Sequence, residues 1–437
     1  MMRRFVLPLL FAAGLASAAA AQAAPVASPP FDTLLARRYV EEARALTARD
    51  AGALWGRSLD GPLLFVEPKS RALLSALPAP DGGLAALGAW YTGELPAGEN
   101  AANAPIRWAG RSWAMLQWPL PADSLARAVL LAHELWHRMQ DSLGLPAGDA
   151  PNPHLATRDG RLWLRLEGRA LRRALAAPRA ARREALRDAL LFRRARRRAF
   201  PDAATGESRL ELNEGLAEYS GVALAAPDSA ERRTLVDARL LALDSLTHYE
   251  RSFAYETGPA YGFFLDALAP GWRVGLRPGD DLADRLAAAL DPAPRRGADP
   301  ALRGARYGYA TVRRAETARD ARQRRRLAAL RQRFISGPAL ELPLADMKLG
   351  FDPGRVEALD SLGTIYGSLR LSDRWGVLQT DESGGLISPD WRRLVVPAPA
   401  EPPAGRRLAG PGWLLELAPG WRLVPGRRAQ DWTVAPQ

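Results

Sequence analysis

Cysteine is absent from the 437 residues, lysine occurs only as Lys69 and Lys348, and there are four histidines. The lack of cysteine excludes a disulfide scaffold, a thiolate-ligated zinc or iron–sulfur site, a thiol nucleophile and a lipidated N-terminal cysteine. Any metal must therefore draw on imidazole and carboxylate. No segment beyond the N-terminus reaches the roughly 18 apolar residues of a membrane-spanning helix. Basic residues outnumber acidic ones, 60 to 48, for a net charge of +12. With lysine so rare, that excess is arginine spread along the chain, which reads as compositional bias and predicts no nucleic-acid partner. The densest clusters, Arg193, Arg194, Arg196, Arg197, Arg198 and then Arg322, Arg324, Arg325, Arg326, lack interleaved aromatics and are expected on solvated helix faces.

What is present is ordinary globular material, 47% hydrophobic and 25% charged, long enough for two or three domains. Arg3 and Arg4, an apolar stretch from Phe5 to about Ala20 and the small-x-small Ala21-Gln22-Ala23 predict a signal peptide over 1–23. That implies a secreted or periplasmic protein without a spanning segment once the leader is cut after Ala23. A helix is expected from Phe31 to Ala48, a strand at Leu63–Val66 and another from Arg111 to Trp118. Ser124 is placed to cap a helix running to about Leu143, with Gly144 just past its end. Helical periodicity recurs at about 161–176, 180–199, 208–224, 229–249, 258–268, 281–290 and 310–335. From about residue 340 short β-type runs replace it: Thr364–Tyr366, Trp375–Leu378, Leu394–Val396, Trp413–Leu417 and Trp421–Val424. The expected class is α+β, a mainly helical body over 24–339 with a small sheet before its central helix, then a β-rich domain over 340–437. No fixed-period repeat is visible.

Two of the four histidines lie in His133-Glu134-Leu135-Trp136-His137, an H-E-x-x-H sequence. Positions i and i+4 put both imidazoles on one helix face, where they can grip a single Zn²⁺. Glu134 is then offset towards a metal-bound water that it can deprotonate. Ala128 to Ala132 make the other faces apolar, as a buried helix requires. A catalytic zinc needs a third ligand, and the candidates are His154, Glu167, Glu211, Glu214 and Glu218. Glu211, Glu214 and Glu218, at i, i+3 and i+7, form the strongest group, since clustered carboxylates repel unless a cation relieves them. Glu167 has arginine neighbours to pair with, while His154 and His248 read as structural.

Asn213-Glu214-Gly215-Leu216-Ala217-Glu218-Tyr219 resembles the Asn-Glu-Gly-x-Ala motif of gluzincin metallopeptidases, the group of thermolysin and the alanyl aminopeptidase/leukotriene A4 hydrolase family. The resemblance covers about residues 110–270 and implies a zincin-like catalytic domain. It makes Glu214 the third zinc ligand, with Glu167 kept as the alternative. Glu218 matches an acid that hydrogen-bonds a liganding imidazole, and Asn213 is taken as a further supporting residue. Tyr255-Glu256-Thr257-Gly258 is similar to the aminopeptidases' Tyr-Glu-Lys-Gly, which implies that Tyr255 stabilises the oxyanion. Gly98-Glu99-Asn100 faintly resembles the Gly-x-Met-Glu-Asn exopeptidase element without its methionine. Arg138, following the second histidine, departs from the family pattern.

The resulting expectation is a secreted or periplasmic peptidase holding one Zn²⁺ on His133, His137 and Glu214. Glu134 is its general base and a peptide or protein its substrate. The strand at Arg111–Trp118 is expected as an edge to which an extended peptide can pair. Two other readings stay open: a zinc hydrolase of a non-peptide bond, and a cell-envelope binding protein whose working part is the C-terminal module with Trp375, Trp391, Trp413, Trp421 and Trp432.

Overall fold

The computed structural model describes residues 30–290, 298–400 and 405–437, so the expected signal peptide lies outside the described residues. The chain is α+β with a β-rich C-terminal region. It divides into two units. The first comprises Met1–Asn152, Gly168–Leu190 and Pro201–Arg296, and the second Pro153–Glu167, Leu191–Phe200 and Gly297–Gln437. The expected boundary at 339/340 falls inside the second unit, which adds helical segments to the β-rich stretch.

In the first unit, helix α1 (Thr33–Asp50) is followed by six strands: β1 (Leu63–Val66), β2 (Ala72–Ser75), β3 (Ala85–Leu87), β4 (Trp90–Glu94), β5 (Ala104–Trp108) and β6 (Arg111–Gln117). They form one sheet in the order β3-β4-β2-β1-β6-β5. β1 and β6 run parallel with Leu63 opposite Ala114, and every other pairing is antiparallel. All four residues of β1 and the central four of β6 are buried, which explains their continuous apolar runs. β6 is therefore not the edge that the sequence led us to expect. It is paired on both sides, and the edge is β5. The hairpin that covers β6 turns at Ala109 and Gly110, with φ of 51° and 74°. Such turns are ordinarily marked by Asn-Gly or Asp-Gly, and an alanine in the first left-handed position hides the signal.

Helix α2 (Ser124–Met139) follows and packs on β5 and β6. Its N-cap is Asp123, one residue before the expected Ser124, and the carboxylate accepts from the Ala126 N–H at 2.8 Å. The helix tightens into a 3₁₀ turn at Gln140–Leu143, and Gly144 closes it at φ 75°. Then come α3 (Arg158–Ala176), α4 (Arg179–Ala199), α5 (Ala203–Leu210), a π turn at Glu211–Gly215, α6 (Leu216–Ala225), α7 (Ser229–Ala242), α8 (Phe253–Leu268) and α9 (Leu282–Ala289). α6 is buried on all sides from Leu216 to Leu224, as befits a central helix. It lies close against α2 because Gly221 carries no side chain: a Cβ there would sit 2.7 Å from the Val129 carbonyl oxygen. α8 makes a similar approach, since a Cβ on Gly258 would lie 2.3 Å from the Cα of Gly215. Backbone cannot yield as a side-chain end can. Gly258→Ala is expected to cost about 3 kcal/mol through overpacking, read as a fall in Tm of roughly 6–12 °C.

The second unit carries a seven-stranded and a five-stranded sheet. Trp375 and Trp413 are buried in its core, their indole N–H groups donating to the carbonyls of Pro343 and Pro397 at 2.7 and 2.8 Å. Trp421 and Trp432 pack partly buried against the same core, and Trp391 is exposed. Most of these tryptophans are thus packing anchors. The arginine cluster of α4 also differs from expectation. Arg193 and Arg196 are fully buried and reach the equally buried Glu167 at 3.2 and 2.5 Å. Arg194 and Arg198 remain on the surface, as do Arg322, Arg324, Arg325 and Arg326. A helix face that alternates charge with alanine offers no sign that a distant glutamate will bury part of it.

Candidate metal centre

α2 presents His133 and His137 one turn apart, with ring centroids 4.7 Å from each other. Each ring is oriented through Nδ1. His133 donates from Nδ1 to the Glu218 carboxylate at 2.8 Å, and His137 from Nδ1 to the Gln140 side-chain carbonyl at 2.9 Å. These bonds fix the ring orientations and turn both Nε2 atoms inward. Gln140 in turn donates to Asn213 Oδ1 at 2.9 Å, and Asn213 donates to Glu214 Oε1 at 3.3 Å. A chain of directional hydrogen bonds thereby links one imidazole to the carboxylate across from it.

Glu214 arrives from the π turn, where the Leu216 N–H bonds the Glu211 carbonyl. The extra residue in that turn changes the phase of the helix, so the expected single face of Glu211, Glu214 and Glu218 does not form. Glu214 and Glu218 meet the histidines, while Glu211 accepts from Thr257 Oγ1 at 2.8 Å. Glu214 Oε2 lies 3.6 Å from His133 Nε2 and 3.4 Å from His137 Nε2, and the two Nε2 atoms are 3.1 Å apart. Among the described residues, His133, His137 and Glu214 form a group able to hold a metal ion. Two nitrogens and an oxygen bound about 2.1 Å from one tetrahedral centre would be separated by about 3.4 Å, close to the distances seen. Two ring nitrogens and a carboxylate oxygen converge on one point, and a cation held between them, whether a proton or a metal ion, relieves the crowding. The donor set therefore fits a divalent metal.

The electrostatics follow from this crowding. Burial alone would lower the His133 pKa, but the hydrogen bonds to Glu214 and Glu218 outweigh it and push it up to about 10. Burial likewise opposes ionisation of Glu214, yet hydrogen bonds from His133, His137 and Tyr255 hold it well below the usual carboxylate range. Glu134 is 3% exposed, and burial raises its pKa against the pull of the two imidazoles. Its Oε2 has no hydrogen-bond partner among the described residues, a costly condition for a buried oxygen.

Tyr255, on α8, stacks over His133 with ring planes 4° apart, and its hydroxyl donates to Glu214 Oε2 at 2.5 Å. Burial and the adjacent Glu214 charge both raise its pKa. Three further residues belong here that the sequence reading missed. Gln140 stands three positions after His137 and so shares its helix face, a signal that was available. Arg251, four residues before Tyr255, donates to Glu214 Oε1 at 2.6 Å. Arg239 of α7 pairs with Glu218, and no local pattern announces it.

The remaining candidates lie elsewhere. Glu167 is held by Arg193 and Arg196, His154 packs on Phe200 at 5.6 Å, and His248 is exposed. Gly98-Glu99-Asn100 is an exposed loop after β4, where Arg71 donates to the Glu99 carbonyl. Comparison with protein families, curated proteins and solved structures returned no match to this chain. Among the described residues no helix is long and apolar enough to cross a membrane.

Proposed function

We propose that this protein is a zinc-dependent peptidase of gluzincin type, with a zincin-like catalytic domain built around α2, α6 and α8. One observation carries the reading: two imidazoles with Nδ1 tied off and Nε2 turned to a shared carboxylate oxygen, beside a buried glutamate with an unpartnered oxygen. His133, His137 and Glu214 would hold the ion, and two nitrogens with one carboxylate favour zinc over the harder cations. Bound there, zinc supplies Lewis acidity, polarising a scissile carbonyl and lowering the pKa of water.

The chain's own residues do the rest. Glu134 accepts a proton from the water whose oxygen adds to the peptide carbonyl carbon. When the C–N bond breaks, Glu134 returns that proton to the departing nitrogen, so the products are a carboxylate and an amine. Tyr255 would stabilise the negative charge that develops on the former carbonyl oxygen once its O–H turns from Glu214 Oε2 to that oxygen. A donor of that kind contributes about 10²–10³ in rate in comparable sites. Glu218 and Gln140 hold the imidazoles in one tautomer throughout, and Arg239 keeps Glu218 ionised.

Incubating the zinc-loaded protein with a mixed peptide library, with and without a chelator, tests the reading by mass spectrometry. New peptide termini should form, cease with chelator and return when zinc is restored. Stoichiometric zinc without any cleavage would retain the metal centre and end the peptidase reading. A zinc hydrolase acting on some other bond would then take its place.

A further inference from the structure

Arg251 lies at the edge of the candidate metal group. Its guanidinium joins two carboxylates, donating from one terminal nitrogen to Glu214 Oε1 and from the other to Asp149. The two partners differ sharply. Glu214 is buried and belongs to the metal group, whereas the Asp149 and Arg251 side chains are 56% and 54% exposed. Asp149 lies on the irregular stretch after Gly144, without regular structure of its own. An ion pair between exposed groups contributes little, so a competing carboxylate can displace Asp149 at small cost. The bond to Glu214 would persist, because it is sheltered and shares its carboxylate with Asn213.

Arg251 is also the most open cation at the centre. Arg239 is spent on Glu218 and is less exposed, and the exposed Arg209 lies against Gly148, beside Asp149. Around them stand Glu134, Glu214, Glu218 and Asp149, with Glu256 buried near Arg239 and Glu218. Arg251 is the exposed cation that also bonds Glu214, and a planar guanidinium matches a carboxylate bidentately. Arg251 is one hydrogen bond and one carboxylate away from the oxygen that faces both histidines. A peptide residue spans at most about 3.6 Å, so a carboxylate reaching Arg251 belongs to the first or second residue beyond the bond being cut.

We infer that Arg251 reads the free C-terminal carboxylate of a short peptide, and that Asp149 occupies its place until substrate arrives. The protein then removes one or two residues from peptide C-termini. This rests on the peptidase reading above, but the two can fail separately.

The test uses the full zinc-loaded chain and peptide pairs identical except for a free or amidated C-terminus. The free form should be cut at least tenfold more efficiently in kcat/KM, with cleavage within two residues of the end. Arg251→Ala should reduce that preference to near unity, and Arg251→Lys should restore part of it. Asp149→Asn should lower KM for the free form several-fold with kcat little changed, a gain that a merely structural loop residue would not produce. Equal cleavage of both forms, or internal cleavage only, would overturn the inference and leave the peptidase reading intact. Zinc binding with no cleavage of either form would remove both. Should Arg251→Ala fail to fold, the Asp149→Asn result and the wild-type preference decide alone.

Discussion

Glu214→Ala should lose its metal. After dialysis against a weak chelator the parent protein is expected to retain about one zinc per chain. The variant should retain less than roughly a tenth, because structural and catalytic zinc sites owe their affinity to a complete, deprotonated ligand set. Two imidazoles one turn apart remain in the variant, and water alone would complete the sphere. Removing the carboxylate also takes away the negative charge that a divalent ion needs beside two neutral nitrogens. The useful control is Glu167→Ala. That glutamate was the rival ligand in the sequence, yet its oxygens are engaged by Arg193 and Arg196, so the variant should be less stable but fully metal-loaded. Elemental analysis of both folded variants separates the two assignments. Zinc kept in Glu214→Ala and lost in Glu167→Ala would reverse them.

Glu134→Gln should move activity and stability in opposite directions. The replacement is isosteric, leaves His133, His137 and Glu214 in place and removes the proposed proton acceptor, so on the proposed mechanism peptide hydrolysis is expected to fall by about 10²–10⁴ while zinc content is unchanged. Stability should be equal or higher, because burial already disfavours the ionised carboxylate and one of its oxygens has no partner. A neutral amide carries no such penalty for charge. Sites that store an unfavourable group for chemistry commonly gain stability when that group is neutralised. Parallel measurements of turnover, metal content and Tm on one preparation decide the matter. A variant that stays active shows that the base is another residue. One that loses zinc shows that Glu134 supports the metal instead.

Much of this architecture was legible from one sequence because the relevant signals are local. The period of 3.6 puts His133 and His137 on one face with no knowledge of anything else in the chain. Short apolar runs bounded by turn residues place strands such as Leu63–Val66, Thr364–Tyr366 and Trp413–Leu417 at the limits observed. Asn213 and Glu218 lie within hydrogen-bond reach of Glu214 and His133 respectively. The errors are of one kind. Arg193 and Arg196 read as surface until Glu167, from another helix, buries them. β6 read as an edge until an unmarked hairpin covered it. Glu211 read as a member of the acidic face until one additional residue in the turn rotated it away.

The sequence by itself determined the chemistry on offer: no thiolates, four histidines, two of them one turn apart around a glutamate, and a distant run of acids. It could not choose among those acids, since helical spacing treats Glu211, Glu214 and Glu218 alike and leaves Glu167 possible. Tertiary structure brought the Glu214 carboxylate to both histidine Nε2 atoms through three physical means. The π turn changed the helical phase, Gly221 let α6 close on α2 and Gly258 let α8 close on Gly215, and hydrogen bonds to Gln140 and Glu218 and from Arg251 oriented His137, His133 and Glu214. The close approaches and the bonds of Glu218 and Arg251 join residues far apart in the chain, where periodicity carries no information and packing alone decides.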